Sequence, residues 1–250
     1  MKAPRNFLGM LTIARFNWPL YATAFAVLFA SLAGIFLLPG LFKLPPLLAL
    51  ACALYFILGS LGVSHLVYDR SDLYRWSWLV SALKGAPMRH AIFCHCGFDE
   101  TSTVLRKKFT NVLWTILDHY DPARMTEPSI HRARALFPPS ADTLACPFDA
   151  WPVPAQSADV VFALLAIHEL RTETERSAWF TEARRSLRVG GRVVLVEHVR
   201  DLANFLAFGP GFLHFHSCAS WTRCWDRAGL RSVQQFSVTP FVQVFILSGK

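Results

Sequence analysis

Two uncharged runs constrain the first quarter of the chain. From Phe16 to Phe42 no residue carries a charge, Lys43 interrupts, and Leu44 to Ser64 is uncharged again. Each run is long enough to cross ~30 Å of hydrocarbon as a helix. Pro39, Gly40, Pro45 and Pro46 punctuate the junction, so residues 19–68 read as a transmembrane helical hairpin. A cleaved signal peptide is one alternative for the first run, although a second apolar run follows at once. Two buried helices of a soluble domain are another, although neither run has the polar face such a helix presents.

The flanks set an orientation. Lys2, Arg5 and Arg15 precede the first run, Arg70, Arg75, Lys84 and Arg89 follow the second, and the loop between carries only Lys43. Basic flanks stay in the cytoplasm, so both the N-terminus and everything beyond Tyr68 are expected there, in an integral membrane protein. Residues 1–18 mix Phe7, Leu8, Leu11 and Phe16 with Arg and Lys, which suits an amphipathic helix on the bilayer surface or an unstructured start. The net charge of +8 fits anionic headgroups beside a span. No basic-aromatic pattern of a nucleic-acid reader is present. Small residues in both runs (Ala30, Ser31, Ala33, Gly34; Gly59, Ser60, Gly62) permit close helix packing, within one chain or in a homo-oligomer. Six cysteines, Cys52, Cys94, Cys96, Cys146, Cys218 and Cys224, lack a repeated spacing and are expected reduced in the cytoplasm.

Residues 69–89 read as a connector, with a helix from Asp72 to about Leu83 stopped by Gly85 and Pro87. From His90 strands and helices alternate: strands at 90–94, 114–118, 143–146, 159–167 and 192–198, helices at 101–109, 122–136, 172–187 and 217–228, and a closing strand pair at 231–236 and 241–248. Such alternation predicts a doubly wound α/β sheet. Ligands bind beyond the carboxyl ends of its strands. The residues there are Cys94-His95-Cys96-Gly97-Phe98-Asp99-Glu100, Asp118-His119, Asp149-Ala150, His168-Glu169 and Glu197-His198. This concentration of acids and imidazoles suits a cationic or hydroxyl-rich ligand. A metal reading of Cys94 and Cys96 lacks a second matched pair, and the spacing is not that of a redox C-x-x-C, so no metal is expected.

The stretches FDAWPVPAQSADVVFALLAIHEL and EARRSLRVGGRVVLVEH, with the closing strand pair, resemble class I S-adenosylmethionine-dependent methyltransferases over roughly residues 88–250. The resemblance implies a Rossmann-like seven-stranded methyltransferase sheet with its last strand antiparallel, in a domain spanning 90–250. It also implies S-adenosylmethionine as cofactor. It puts the opening heptapeptide on the cofactor loop, with His95, Gly97 and Asp99 at the three positions where the family has glycine, and Cys96 between the first two. Only the central glycine is kept. Asp99 is then a partner for the methionyl ammonium or a helix cap, Asp118 with His119 the ribose end, Asp149 and Ala150 the adenine contacts, and Leu165 a further cofactor contact. The apolar insert FLAFGPGFLHFHSCASW would cover the acceptor. His214 and His216 in it are candidates for a general base, as are His168 and His198, with structural roles as the alternative. A bilayer anchor on such a domain suggests an acceptor that partitions into lipid. Small alkyl thiols, and a degenerate non-catalytic scaffold, are the alternatives.

Overall fold

The computed structural model describes residues 6–83 and 88–250. Residues Gly85 and Pro87, expected to stop the connector helix, lie outside them. Chain order begins with three helices: α1 (Leu8–Phe16), α2 (Trp18–Leu37) and α3 (Leu44–Ser64). α2 and α3 form the expected hairpin. Pro19 opens α2 at its first turn and Pro45 opens α3 at its own, where a missing N–H costs nothing. The two helices pack closely where a Cβ on Gly34 would sit 3.2 Å from Pro46, and Tyr21 hydrogen-bonds Ser60 across them at 3.2 Å. Phe25, Phe29, Phe36, Leu48 and Leu58 stay exposed on their outer faces. Both helices are long and apolar enough to cross a membrane.

α1 is a docked helix. Its free N-terminal amides are taken by one carboxylate: Gly9 donates to Asp69 Oδ1 at 2.7 Å and Met10 to Oδ2 at 3.1 Å. Such amides have no partner inside the helix, and an anion there is favoured by the helix dipole. Gly9 is needed for the approach, since a Cβ would lie 2.5 Å from that of Tyr68. At the other end Arg132 donates to the Phe16 carbonyl at 2.5 Å.

The connector helix is shorter than expected. A 3-10 turn at Leu73–Arg75 precedes α4 (Ser77–Ala82), and Trp76 between them is left-handed at φ 60°. Beyond it the order is β1 (His90–His95), α5 (Ser102–Lys108), β2 (Leu113–Asp118), α6 (Pro128–Leu136), β3 (Thr143–Ala145), β4 (Ala158–Leu164), α7 (Glu173–Ser186), β5 (Leu187–His198), α8 (Leu202–Phe208), α9 (Cys218–Arg227), β6 (Leu230–Thr239) and β7 (Val242–Gly249). The sheet runs β3-β2-β1-β4-β5-β7-β6, parallel except for β7, which is antiparallel to both its neighbours.

Four elements depart from the expectation for local reasons. α6 starts at Pro128 because the residue before a proline is pushed to extended backbone, and Glu127 has φ −61°, ψ 123°. β4 stops at Leu164 because Leu165 turns left-handed at φ 53°, and Ile167–Glu169 becomes a 3-10 turn. β5 begins five residues early, through an irregularity at Gly190-Gly191 that shifts register between Ala158 and Val160. α8 was not foreseen; Asp201 caps it by accepting from the Asn204 amide at 2.8 Å.

Both faces of the sheet are covered. On one, Trp179 and Phe180 of α7 and Trp221 and Trp225 of α9 pack on β-strand residues such as Ile92, Val161 and Leu195. On the other, Leu73, Trp76 and Leu79 of the connector pack on Phe93, Phe162 and Val194. The connector is therefore part of the core, and the hairpin sits over the carboxyl ends of the strands. Tyr55 of α3 donates to the Leu206 carbonyl of α8 at 2.5 Å, tying the two.

Candidate active site

A cavity of about 430 Å³ lies between the hairpin and the ends of β1, β4 and β5. The floor comes from the loops after the strands: Cys96 and Phe98 after β1, Leu164 to Ala166, His168 and Glu169 after β4, and His198 at the end of β5. Ile13 and Phe16 of α1, Tyr21 of α2 and Phe56 and Ser60 of α3 form the roof. Tyr68, Tyr74 and Trp76 of the connector close one side, and Phe208, His214 and Phe215 of the insert the other.

Its charge is one-sided. Glu100, Glu127 and Glu169 line it, and no Lys or Arg does among the described residues. Tyr74 donates its hydroxyl to Glu100. Burial would raise the Glu169 carboxyl, but the nearby His214, His168 and Arg171 more than offset it, leaving it below its usual range.

His168 is held from behind by a buried carboxylate. Its Nδ1 donates to Glu197 Oε2 at 2.7 Å. Glu197 is fully buried, and its other oxygen accepts the amides of Ala166 and Ile167 at 3.3 and 3.1 Å. Nε2 of His168 then faces Glu169, 3.7 Å away. Burial alone would lower its pKa, yet the Glu197 charge and hydrogen bond, aided by Glu169, leave it raised. His214 Nε2 stands 3.6 Å from the same Glu169 oxygen.

His198 is held differently. Nδ1 donates to the Phe241 carbonyl at 2.8 Å, and Nε2 takes the Tyr68 hydroxyl at 3.0 Å. Its ring stacks on Phe215, and burial lowers its pKa to about 4. It is a neutral acceptor that orients Tyr68 against the cavity. His216 does not reach the cavity. Its Nε2 accepts from Arg176 at 2.9 Å behind the wall, and burial beside that guanidinium lowers its pKa to about 3.

Among the positions expected to contact the cofactor, the structure brings Cys96 and Leu165 to the cavity and leaves the others off it. Asp99 caps α5, accepting the amides of Thr101 and Ser102 at 3.0 and 2.9 Å. Gly97 keeps φ 91°, but its open face is filled: a Cβ would meet the Tyr120 ring at 2.7 Å. Asp118 is buried, with Oδ1 accepting the amides of Gly97 and Tyr120 at 2.9 and 3.0 Å and Oδ2 paired to Arg134 at 2.5 Å. Asp149 and Ala150 are exposed. Of the two acids expected in one slot, Asp118 is held inside a turn and Asp149 is exposed. His95 is buried with neither ring nitrogen hydrogen-bonded, 3.4 Å from Asp118. His119 stacks on Trp151, bonds the Cys146 carbonyl at 3.2 Å and leaves Nε2 unpartnered; burial lowers its pKa to about 4.

Sequence reasoning missed Tyr68, Tyr74, Trp76 and Glu127 as site residues, and had Glu100 and Glu197 only as acids at the strand ends. The available signal was the density of aromatics at 68–78, which also suits a membrane interface.

The strand order, with its one antiparallel strand beside β5, is that of class I S-adenosylmethionine-dependent methyltransferases. Residues 96–195 match the family model for a methyltransferase domain. The matched segment is two fifths of the chain, and together with the strand order it makes the chain similar to this superfamily. Among solved structures it is similar to an S-adenosylmethionine-dependent methyltransferase from Aquifex aeolicus, at 14% identity, 72% of this chain, 93% of that one and TM-score 0.51. It is also similar to a chain in the complex of the Haloferax volcanii Trm112 methyltransferase activator with its methyltransferase, at 16% identity, 70% and 89% coverage and TM-score 0.49. The fold likeness rests on the first. No curated protein matches by sequence.

The donor set of the cavity fits the cofactor's cationic half. A sulfonium and an ammonium favour carboxylates and aromatic faces, and the wall offers both, with no Lys or Arg lining it among the described residues.

Proposed function

We propose that this protein is a membrane-anchored methyltransferase whose acceptor is a hydrophobic or lipid-like molecule. The observation that carries the reading is the composition of the cavity: the apolar hairpin supplies its roof and the strand ends its floor. In a domain merely tethered to a membrane, the anchor and the cleft would be separate. Here Phe16, Tyr21 and Phe56 face the same space as His168 and Glu169, so an acceptor dissolved in the bilayer has a short path to it.

Within the cavity Glu169 and Glu100 would hold the cofactor's cationic groups, with Cys96, Phe98 and Leu165 as its walls. When bound, the cofactor supplies a methyl carbon activated by sulfonium. The residues of this chain bring the acceptor to near-attack distance, exclude water with Phe208, Phe215 and the hairpin, and take up any proton the acceptor loses. Asp118 would reach a ribose only if Arg134 released it.

The test is a transfer assay with methyl-labelled cofactor on the full chain in native membranes. Label in the lipid-extractable fraction is expected. Label in the headspace instead would move the acceptor to a small thiol, and label in neither would sink the lipid reading.

A further inference from the structure

We infer that His168 is the general base of the transfer, that Glu197 positions it, and that the acceptor accordingly carries a dissociable S–H or O–H proton. This rests on the methyl-transfer reading above and narrows its substrate class. Four candidate histidines stood in the sequence, and the structure separates them by what their nitrogens already do. His198 Nε2 holds Tyr68 and His216 Nε2 holds Arg176. His214 is gripped at its edge, with Arg171 3.3 Å from Nδ1 and donating to its carbonyl at 2.7 Å. Only His168 has a buried carboxylate on one nitrogen while its ring lines the cavity.

The arrangement has the parts proton transfer needs. Glu197 is pinned by two amides and cannot swing away, so it fixes the Nδ1–H tautomer and leaves the Nε2 lone pair inward. It also stabilises the imidazolium formed on proton uptake, as a buried carboxylate does behind any catalytic imidazole. Nε2 faces Glu169 at 3.7 Å, a second carboxylate whose charge favours the imidazolium. Around His168 the charged and titratable groups are thus Glu197 on β5, Glu169 and Arg171 on its own turn, His214 and His216 on the insert, and His198 at the strand end. Their balance favours the protonated ring, which sets its titration above that of a free imidazole.

The step balances. The acceptor's S–H or O–H bond breaks and its proton passes to Nε2. The lone pair so freed forms the new bond to the methyl carbon, while the old carbon–sulfur pair stays on sulfur. The positive charge moves from sulfonium to imidazolium. An acceptor without such a proton, a tertiary amine for example, needs none of this machinery.

The experiment uses the full chain in detergent with three probes: heptanethiol, a long-chain alkylphenol and N,N-dimethyldodecylamine. His168→Gln should lower kcat on the thiol or the phenol by at least a hundredfold, within the range general base catalysis supplies, with S-adenosylhomocysteine affinity unchanged within threefold by calorimetry. Which of the two probes turns over distinguishes sulfur from oxygen. In wild type, kcat/KM should rise with pH through the His168 titration. Histidine-labelled NMR of the resting protein should show Nδ1 protonated, and Glu197→Gln or Glu197→Asp should move that titration to lower pH. His168→Gln retaining activity within threefold would overturn the assignment, as would preferred methylation of the amine. The three ligand atoms of His168, Glu169 and His214 lie within 4.8 Å of one another. Loss of activity to a chelator and its return with zinc would therefore also overturn it, in favour of a metal. Absence of S-adenosylhomocysteine binding by the wild type would instead overturn the methyl-transfer reading beneath it.

Discussion

At Leu165 the backbone turns left-handed, with φ 53° and its amide on the Val196 carbonyl at 2.8 Å. A side chain in that region costs about 1–2 kcal/mol, and such strain gathers at ligand sites. It ends β4 and turns the next residues back over the strand ends, which is how His168 and Glu169 reach the cavity. Leu165→Val should therefore destabilise by roughly 1–2 kcal/mol beyond any loss of packing, because a β-branched residue tolerates this angle poorly; a melting shift in detergent measures it. Asp118 holds the turn that follows β1. Asp118→Ala would strand the Gly97 and Tyr120 amides and the Arg134 guanidinium. Removing one partner of a buried pair costs about 3 kcal/mol or more, so this variant should unfold at markedly lower temperature whatever the cofactor does. A variant as stable as wild type would show that the carboxylate does not serve the turn.

At the scale of elements, α1 depends on a partner sixty residues away in sequence. Asp69 accepts its first amides, so Asp69→Ala should release α1 and open the cavity roof at Ile13 and Phe16. The loss is a capping loss of about 1 kcal/mol. Hydrogen exchange should accelerate over residues 8–16 and leave β1, β4 and β5 protected; uniform protection would contradict the docking. This contact also marks the limit of what was legible beforehand. Local patterning carries the strands, α7 with its Thr172–Glu175 capping box and the hairpin, because each is written in neighbouring residues. The docking of α1, the Glu197–His168 pair and the aromatic wall at Tyr68 to Trp76 join residues distant in sequence. Asp118 and Asp149 were expected at the ribose and adenine ends of one slot because the family resemblance implies it. In the structure the Asp118 carboxylate is paired to Arg134 and Asp149 is exposed. The strand ends were the right place to look, yet the loop after β1 contributes Cys96 and Phe98 in place of its glycine.

For the whole molecule, three buried histidines predict an acid limit. His119 and His198 are lowered to about 4 and His216 to about 3, in each case chiefly by burial. An unfolded histidine titrates near 6.5. Between these values the unfolded chain binds the extra protons, so stability is full above about pH 6.5 and falls as pH drops toward 4, by on the order of 1 kcal/mol per pH unit for each. His168, raised by its carboxylates, acts in the opposite sense: its contribution is full below about pH 6.5 and is lost as pH rises through its folded titration. Three against one leaves a net acid destabilisation, read from denaturation midpoints between pH 7 and 4. A midpoint independent of pH there would show these rings to be solvated.

The central claim is that the cavity shared by hairpin and strand ends binds the cofactor. Calorimetry of S-adenosylmethionine and S-adenosylhomocysteine with the full chain in detergent tests it most directly. Both should bind the wild type. Glu169→Gln should weaken S-adenosylmethionine by about tenfold, the scale of one charge-assisted contact, and by more than it weakens the uncharged thioether, while Asp149→Asn changes neither. Binding that ignores Glu169 and follows Asp149 would put the cofactor elsewhere and contradict the account.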